Sequence, residues 1–220
     1  MKKTAFVLSF ALGALAVPAL ASDDISKVNG SIRTTAGGTY RDLDTVNGSI
    51  TVDAGVKARN IETVNGSIRI GDNAEAVRVE TVNGSIRIGR NVTLGSKVET
   101  VNGSIFSDHG SHIGGSVETV NGGIGLVGTA VAKDIETVNG DITVGVGSEV
   151  QGGIHVKRPS FSLSLTAPRK PRVIIGPNAV VHGELQFERE VVLYVHRSAR
   201  IGNVKGATVQ TFDSDTAPQN

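Results

Sequence analysis

The chain has 220 residues, a formal net charge of +1, no Cys, no Trp and 28 Gly. Without Cys there are no disulfides, no thiolate metal sites and no lipidation of an N-terminal Cys, and a near-neutral charge provides no strong field for nucleic acid or an anionic membrane. Two Tyr and six Phe are too few for base-stacking platforms, sugar-stacking subsites or the aromatic girdles of an outer-membrane barrel.

Met1-Lys2-Lys3-Thr4 precedes an apolar run from Ala5 to Leu20, interrupted at Ser9, Gly13 and Pro18 and followed by Ala21. A positive start, a short apolar core and an A-x-A end predict a signal peptide over residues 1–21, cleaved after Ala21. The run is short for a membrane anchor, and no later stretch approaches the roughly 20 apolar residues of a spanning helix. The expected product is exported, to the periplasm or the cell surface, with no transmembrane segment.

From residue 22 the sequence repeats. Val-Asn-Gly recurs at Val28, Val46, Val64, Val82, Val101, Val120 and Val138, in steps of 18 or 19 residues. Within one unit, Ser67-Ile68-Arg69-Ile70 and Val77-Arg78-Val79-Glu80 alternate with period 2, which predicts short strands with one buried face. Two columns recur as internal candidates: Ile32, Ile50, Ile68, Ile86, Ile105, Ile124 and Ile142, and Ile25, Leu43, Ile61, Val79, Val98, Val117 and Ile135. A third column, Asn29, Asn47, Asn65, Asn83, Asn102, Asn121 and Asn139, can stack its amides as a ladder.

Two folds accommodate this pattern. Each unit is one coil of a parallel β-solenoid with Asn-Gly at a corner, where positive φ turns the chain. Alternatively, Asn-Gly is a type I′ hairpin turn pairing Glu62 with Arg69 and Glu80 with Arg87 in an antiparallel meander or barrel. Three features favour the solenoid. The strands are too short for a membrane barrel, identity is concentrated in columns, and the Gly-rich insertions Gly95-Ser96 and Gly114-Gly115 fall at one non-motif corner. The expected fold is therefore all-β, a single-stranded parallel β-solenoid of about 18-residue coils whose handedness the sequence leaves open.

The coil region runs over residues 22–156. Residues 157–172, with Pro159, Pro168 and Pro171 among basic residues, read as an insertion leaving the stack. Residues 173–210 read as capping coils, because Ser148–Ile154, Asn178–Leu185 and Ser198–Val204 share one grammar of small residue, aliphatic, Gly and aliphatic. There, Glu184, Glu188, Arg189 and Glu190 surround Val191–Val195 with charge, and Gly202–Thr211 is expected to fold over the open edge. Residues 211–220 read as a disordered tail.

On these residues the chain resembles bacterial adhesin-type β-solenoid families whose biochemical activity is unknown, over Asp23 to about Gly206. Ile174–Gly183 is also similar to bactofilins, the polymer-forming β-helix proteins, over the C-terminal third only. The resemblance implies a structural or surface-interaction role at a cell-envelope or extracellular partner, with a polymer-forming scaffold as the alternative. A β-helix enzyme acting on polysaccharide is a further alternative, one that calls for an acid–base constellation in an aromatic groove.

No such constellation is visible. His109, His112, His155, His182 and His196 have no metal-protease spacing, and neither a G-x-S-x-G elbow nor a phosphate loop occurs. The chain is therefore expected to be no enzyme and to carry no cofactor. The one site worth weighing is the acid column Asp44, Glu62, Glu80, Glu99, Glu118 and Glu136. Carboxylates about 5 Å apart share Ca²⁺ or raise one another's pKa, and Glu62, Glu80, Glu99 and Glu118 are the weak metal candidates. Arg33, Arg69 and Arg87 are expected to neutralise part of that face. The preceding Thr column (Thr45, Thr63, Thr81, Thr100, Thr119 and Thr137) invites a crystal-binding reading, but flat Thr arrays usually need two Thr per coil on one face, and here the flanks are Glu and Val. With one end bare and the other guarded, a monomer or head-to-head dimer is expected in preference to a filament.

Overall fold

The computed structural model describes residues 23–159, 169–214 and 216. The signal-peptide reading over 1–21 lies outside them, as does the middle of the 157–172 insertion. All described strand pairings are parallel, and the register is regular except for one shift between Asp23 and Ile25 at the first strand. They build three sheets, two of ten strands and one of seven, in which each strand neighbours its counterpart from the next coil. The chain is an all-β solenoid of about ten turns, with no helix among the described residues. The antiparallel alternative is ruled out.

The first sheet runs from Asp23–Asn29 to Val204–Lys205, the second from Ile32–Arg33 to Val209–Phe212, and the third from Glu75–Ala76 to Arg200–Ile201. Both predicted apolar columns are internal. Ile32, Ile50, Ile68, Ile86, Ile105, Ile124 and Ile142 pair rung on rung along the second sheet and are buried. Leu43, Ile61, Val79, Val98, Val117 and Ile135 do the same along the first sheet, with Ile25 half-buried at its edge. Stacking β-branched side chains on their like fills a narrow core without long side chains.

Polar ladders bind successive coils. Each motif Asn donates Nδ2–H to Oδ1 of the Asn one coil earlier, from Asn47→Asn29 (3.0 Å) to Asn139→Asn121 (3.1 Å), an unbroken line of seven amides. The motif Ser, exposed as expected, also contributes, because Ser31, Ser49, Ser67, Ser85 and Ser104 each accept a backbone N–H from the next coil through Oγ. Asn83→Ala breaks two amide bonds and is expected to cost about 1–2 kcal/mol, whereas Ser85→Ala removes one exposed acceptor and should cost less than about 1 kcal/mol. Urea denaturation of the two variants measures this difference, and equal near-zero effects would contradict the ladder.

The corner geometry differs from expectation. No motif Asn has positive φ, and of the motif glycines only Gly30 (116°) and Gly122 (157°) do; Gly48, Gly66, Gly84 and Gly103 are required for close approach instead. A Cβ on Gly66, Gly84 or Gly103 would sit 2.0 Å from the carbonyl oxygen of the motif Gly one coil earlier. Left-handed backbone falls in another column eight residues on, where Gly37, Gly55, Asn73, Asn91 and Gly110 have φ of 71°, 68°, 58°, 53° and 75°. Only Gly and Asn occupy those positions, as the Cβ penalty there requires.

After Val144 the solenoid continues. Ile142 pairs with Val173 and Ile154 with Leu185, each 31 residues on, so the insertion adds length without adding a rung. Glu149, Val180 and Arg200 align, as the shared grammar suggested. The last segment is corrected. Instead of folding over the edge, Val204–Lys205 and Val209–Phe212 extend the sheets, and Phe212, placed by sequence in a tail, is buried with its ring 5.1 Å from His196, edge to face.

Candidate interaction face

The outer surface of the first sheet collects most of the polar columns. Between inward Leu43 and Thr45, Asp44 points out, and the same alternation holds coil by coil. Register therefore lines up Ser26, Asp44, Glu62, Glu80, Glu99, Glu118, Glu136, His155, Gln186 and Lys205 in one column. Beside it stand the half-buried motif valines Val46, Val64, Val82, Val101 and Val120, and beyond them the Asn ladder.

The acids are partly desolvated by their neighbours, and Glu80 and Glu99 are buried. Burial, then the charges of Glu80 and Asp44, holds the Glu62 carboxyl above its ordinary range against the pull of Arg78. Burial, reinforced by Asp42, raises Asp44 while the Ser26 hydroxyl opposes it. Glu99 is raised by burial first, against its pairing with Lys97. The neutralising cations come from the face itself. Lys97 Nζ pairs with Glu99 and lies 3.1 Å from Glu80 Oε1, Arg78 lies 3.7 Å from Glu80, Lys157 pairs with Glu136, and Ser116 donates to Glu118 at 2.5 Å. Arg33, Arg69 and Arg87, expected to perform this role, stand on the second sheet. Arg33 pairs with Asp53, and Arg87 lies 4.9 Å from the Phe106 ring centroid.

A carboxyl whose folded pKa exceeds its unfolded value binds protons more tightly when folded, so its ionisation costs stability as pH rises through that window. Asp44, Glu62 and Glu99 act in this sense. Asp141, lowered by Arg169 and the Arg172 N–H despite its burial, acts in the opposite sense and loses stability as pH falls. Glu62→Gln is therefore expected to raise the melting temperature at neutral pH, with the gain shrinking toward about pH 4. Thermal melts across that range measure it, and a loss of stability at neutral pH would contradict the burial assignment.

The Thr column is not a surface. Thr45, Thr63, Thr81, Thr100 and Thr119 are buried, and each donates its hydroxyl to the Gly carbonyl of the preceding coil at 2.9–3.0 Å. The metal candidates Glu62, Glu80, Glu99 and Glu118 are adjacent rungs of the acid column, and among the described residues no three His, Asp or Glu side chains form a metal-binding group. His109 and His112 lie three residues apart in one coil, and His155, His182 and His196 lie in three others. His109 contacts Asp108 at 2.6 Å, His182 contacts Glu149 at 2.9 Å and His155 lies 3.7 Å from Asp134. A depression of about 120 Å³ lined by Glu136, His155, Val156, Lys157, Gln186 and Glu188 interrupts the face, well below the roughly 300–1,000 Å³ of a small-molecule site.

Two features escaped the sequence reading. Ser107, Ser111, Thr129 and Ser148 are buried hydroxyls that bond to one another or to backbone, with Thr129 Oγ1 3.0 Å from Ser107 Oγ. Their signal is three hydroxyl residues one coil apart at the level of Val92. Arg189 reaches back to the end of the Asn ladder, with Nη1 2.6 Å from Asn139 Oδ1 and 3.1 Å from the Val138 carbonyl. No local pattern marks a contact spanning 50 residues. No family model, curated protein or solved structure matches the chain.

Proposed function

We propose that this chain is a non-enzymatic, exported repeat protein of structural or adhesin-like type, which presents the outer face of its first sheet to a cell-envelope or extracellular partner. The observation that carries the reading is the face itself: register-aligned acid, Val and Asn columns across successive coils. A rigid periodic face suits a repetitive partner, because each coil adds one equivalent contact. The test is binding of the fluorescently labelled 22–220 chain to isolated bacterial envelopes. Saturable binding is expected, weakened when Glu62, Glu80 and Glu118 become Gln and unaffected by Glu75→Gln on the third sheet. Absence of saturable binding, or release of reducing ends from envelope polysaccharide, would overturn the proposal.

A second reading, the bactofilin-like scaffold, has one observation in its favour. Both terminal strands, Asp23–Asn29 and Val209–Phe212, are largely exposed edges, and an exposed edge pairs with another chain. The first reading expects monomers or dimers by size exclusion and negative stain; long unbranched filaments at micromolar concentration would favour the second.

A further inference from the structure

We propose that Asn139 is a self-modification site, converted to a carboxylate through a cyclic imide formed with Gly140 and promoted by Arg189. Asn-Gly is the dipeptide most prone to this reaction, because the Gly nitrogen carries no neighbouring side chain to hinder its attack on the Asn amide carbon. The chain holds seven copies, and the solenoid does not treat them alike.

In five copies the nucleophile is held. Gly30, Gly48, Gly66, Gly84 and Gly103 each donate N–H to the carbonyl of the motif Asn one coil later, at 2.8–3.0 Å. A nitrogen locked into that ladder must break its bond before it can turn toward its own Asn side chain. Gly122 and Gly140 have no such partner among the described residues. The ladder loosens here: Asn139 N–H still donates to the Val120 carbonyl at 2.8 Å, but no bond from Gly122 N–H to the Asn139 carbonyl closes the pair, and among the described residues the buried Thr137 hydroxyl has no partner, unlike the five Thr earlier in its column.

Arg189 separates Asn139 from Asn121. Asn121 is bonded within the amide ladder on both sides, to Asn102 and Asn139. Asn139 instead accepts a charged hydrogen bond from Arg189 Nη1 at 2.6 Å on Oδ1, while its Nδ2 keeps only the 3.1 Å bond to Asn121. A guanidinium on the amide oxygen withdraws density from Cγ and stabilises the oxyanion of the tetrahedral intermediate. Asn139 is exposed, so water reaches it.

The steps balance without a co-reactant other than water. Gly140 N, losing its proton, forms a bond to Asn139 Cγ, the Cγ–Nδ2 bond breaks, and the amide leaves as ammonia carrying that proton. Water then opens the imide at either carbonyl, leaving Asp or isoaspartate. The product carboxylate faces Arg189 but cannot donate to Asn121 Oδ1. The reaction therefore uncouples the last rung from the ladder beside the insertion, whose returning arm Arg189 also holds through the Arg169 carbonyl.

The test incubates the 22–220 chain at mildly alkaline pH and follows all seven sites by peptide mass spectrometry that distinguishes isoaspartate. In the folded chain Asn139 should convert about tenfold faster than Asn65 and Asn83, and in urea the seven rates should converge. Arg189→Gln should slow Asn139 without altering Asn65. Equal rates at Asn139, Asn65 and Asn83 in the folded chain would overturn the proposal, as would an Arg189→Gln rate at Asn139 that is unchanged or higher. The ratio within the unaltered chain needs no variant to fold.

Discussion

Ile86→Asp is expected to cost about 3–5 kcal/mol, the scale for an unpaired buried charge, against the roughly 5–15 kcal/mol that holds a typical domain folded. Ile86 is 1% exposed and stacked between Ile68 and Ile105. A carboxylate there has apolar rungs above and below and no cation in the column. Because a repeat array can open locally, the effect should be greatest in hydrogen exchange of the coils on either side. Thr93→Asp, exposed on the third sheet, should change the denaturation midpoint little. Matching midpoints for the two variants would show that position 86 is not internal.

Gly84→Ala is the second large effect. Its Cβ would lie 2.0 Å from the Gly66 carbonyl oxygen and 2.5 Å from the carbonyl carbon, and backbone cannot swing aside as a flexible side chain can. Coils 66 and 84 must part or the corner must distort, at or above the upper end of the roughly 1–3 kcal/mol cost of overpacking. The contrasting variant is Gly55→Asn, in the column where Asn73 and Asn91 already adopt φ of 58° and 53°. It should cost less than about 1 kcal/mol. Chemical denaturation of the pair separates close approach from backbone conformation; a larger loss at Gly55 would reverse these roles.

The apolar columns and the Asn ladder were legible in the sequence because each rung repeats at a fixed step and stacking requires like on like. The role of Gly in the motif was not, since sequence alone cannot separate a glycine needed for positive φ from one needed for close approach. The left-handed column was readable in principle, as the positions holding only Gly or Asn, but the more obvious Asn-Gly motif drew that assignment. Charge pairing was misread for a geometric reason. Arg69 follows Glu62 closely in sequence, yet the corner at Asn65-Gly66 sends them to different sheets, whereas Lys97 lies on the acid face and bridges Glu80 to Glu99 across coils. Arg189 and Asn139 are joined only because the 31-residue step returns the chain directly over the previous coil.

The central claim is that every repeat adds one rung along a single axis, including the step that spans the insertion. Because the chain has no Cys, spin labels can be placed in pairs on exposed positions of the third sheet. Glu75 and Glu149 are four rungs apart, through Thr93, His112 and Ala130, and Arg200 lies two further on through Val180. At about 4.8 Å per rung, pulsed electron–electron resonance should give about 19 Å for labels at Glu75 and Glu149, and about 29 Å for Glu75 and Arg200, within the reach of the label arms. A Glu75–Arg200 distance far above this, or one shorter than Glu75–Glu149, would contradict a continuous solenoid.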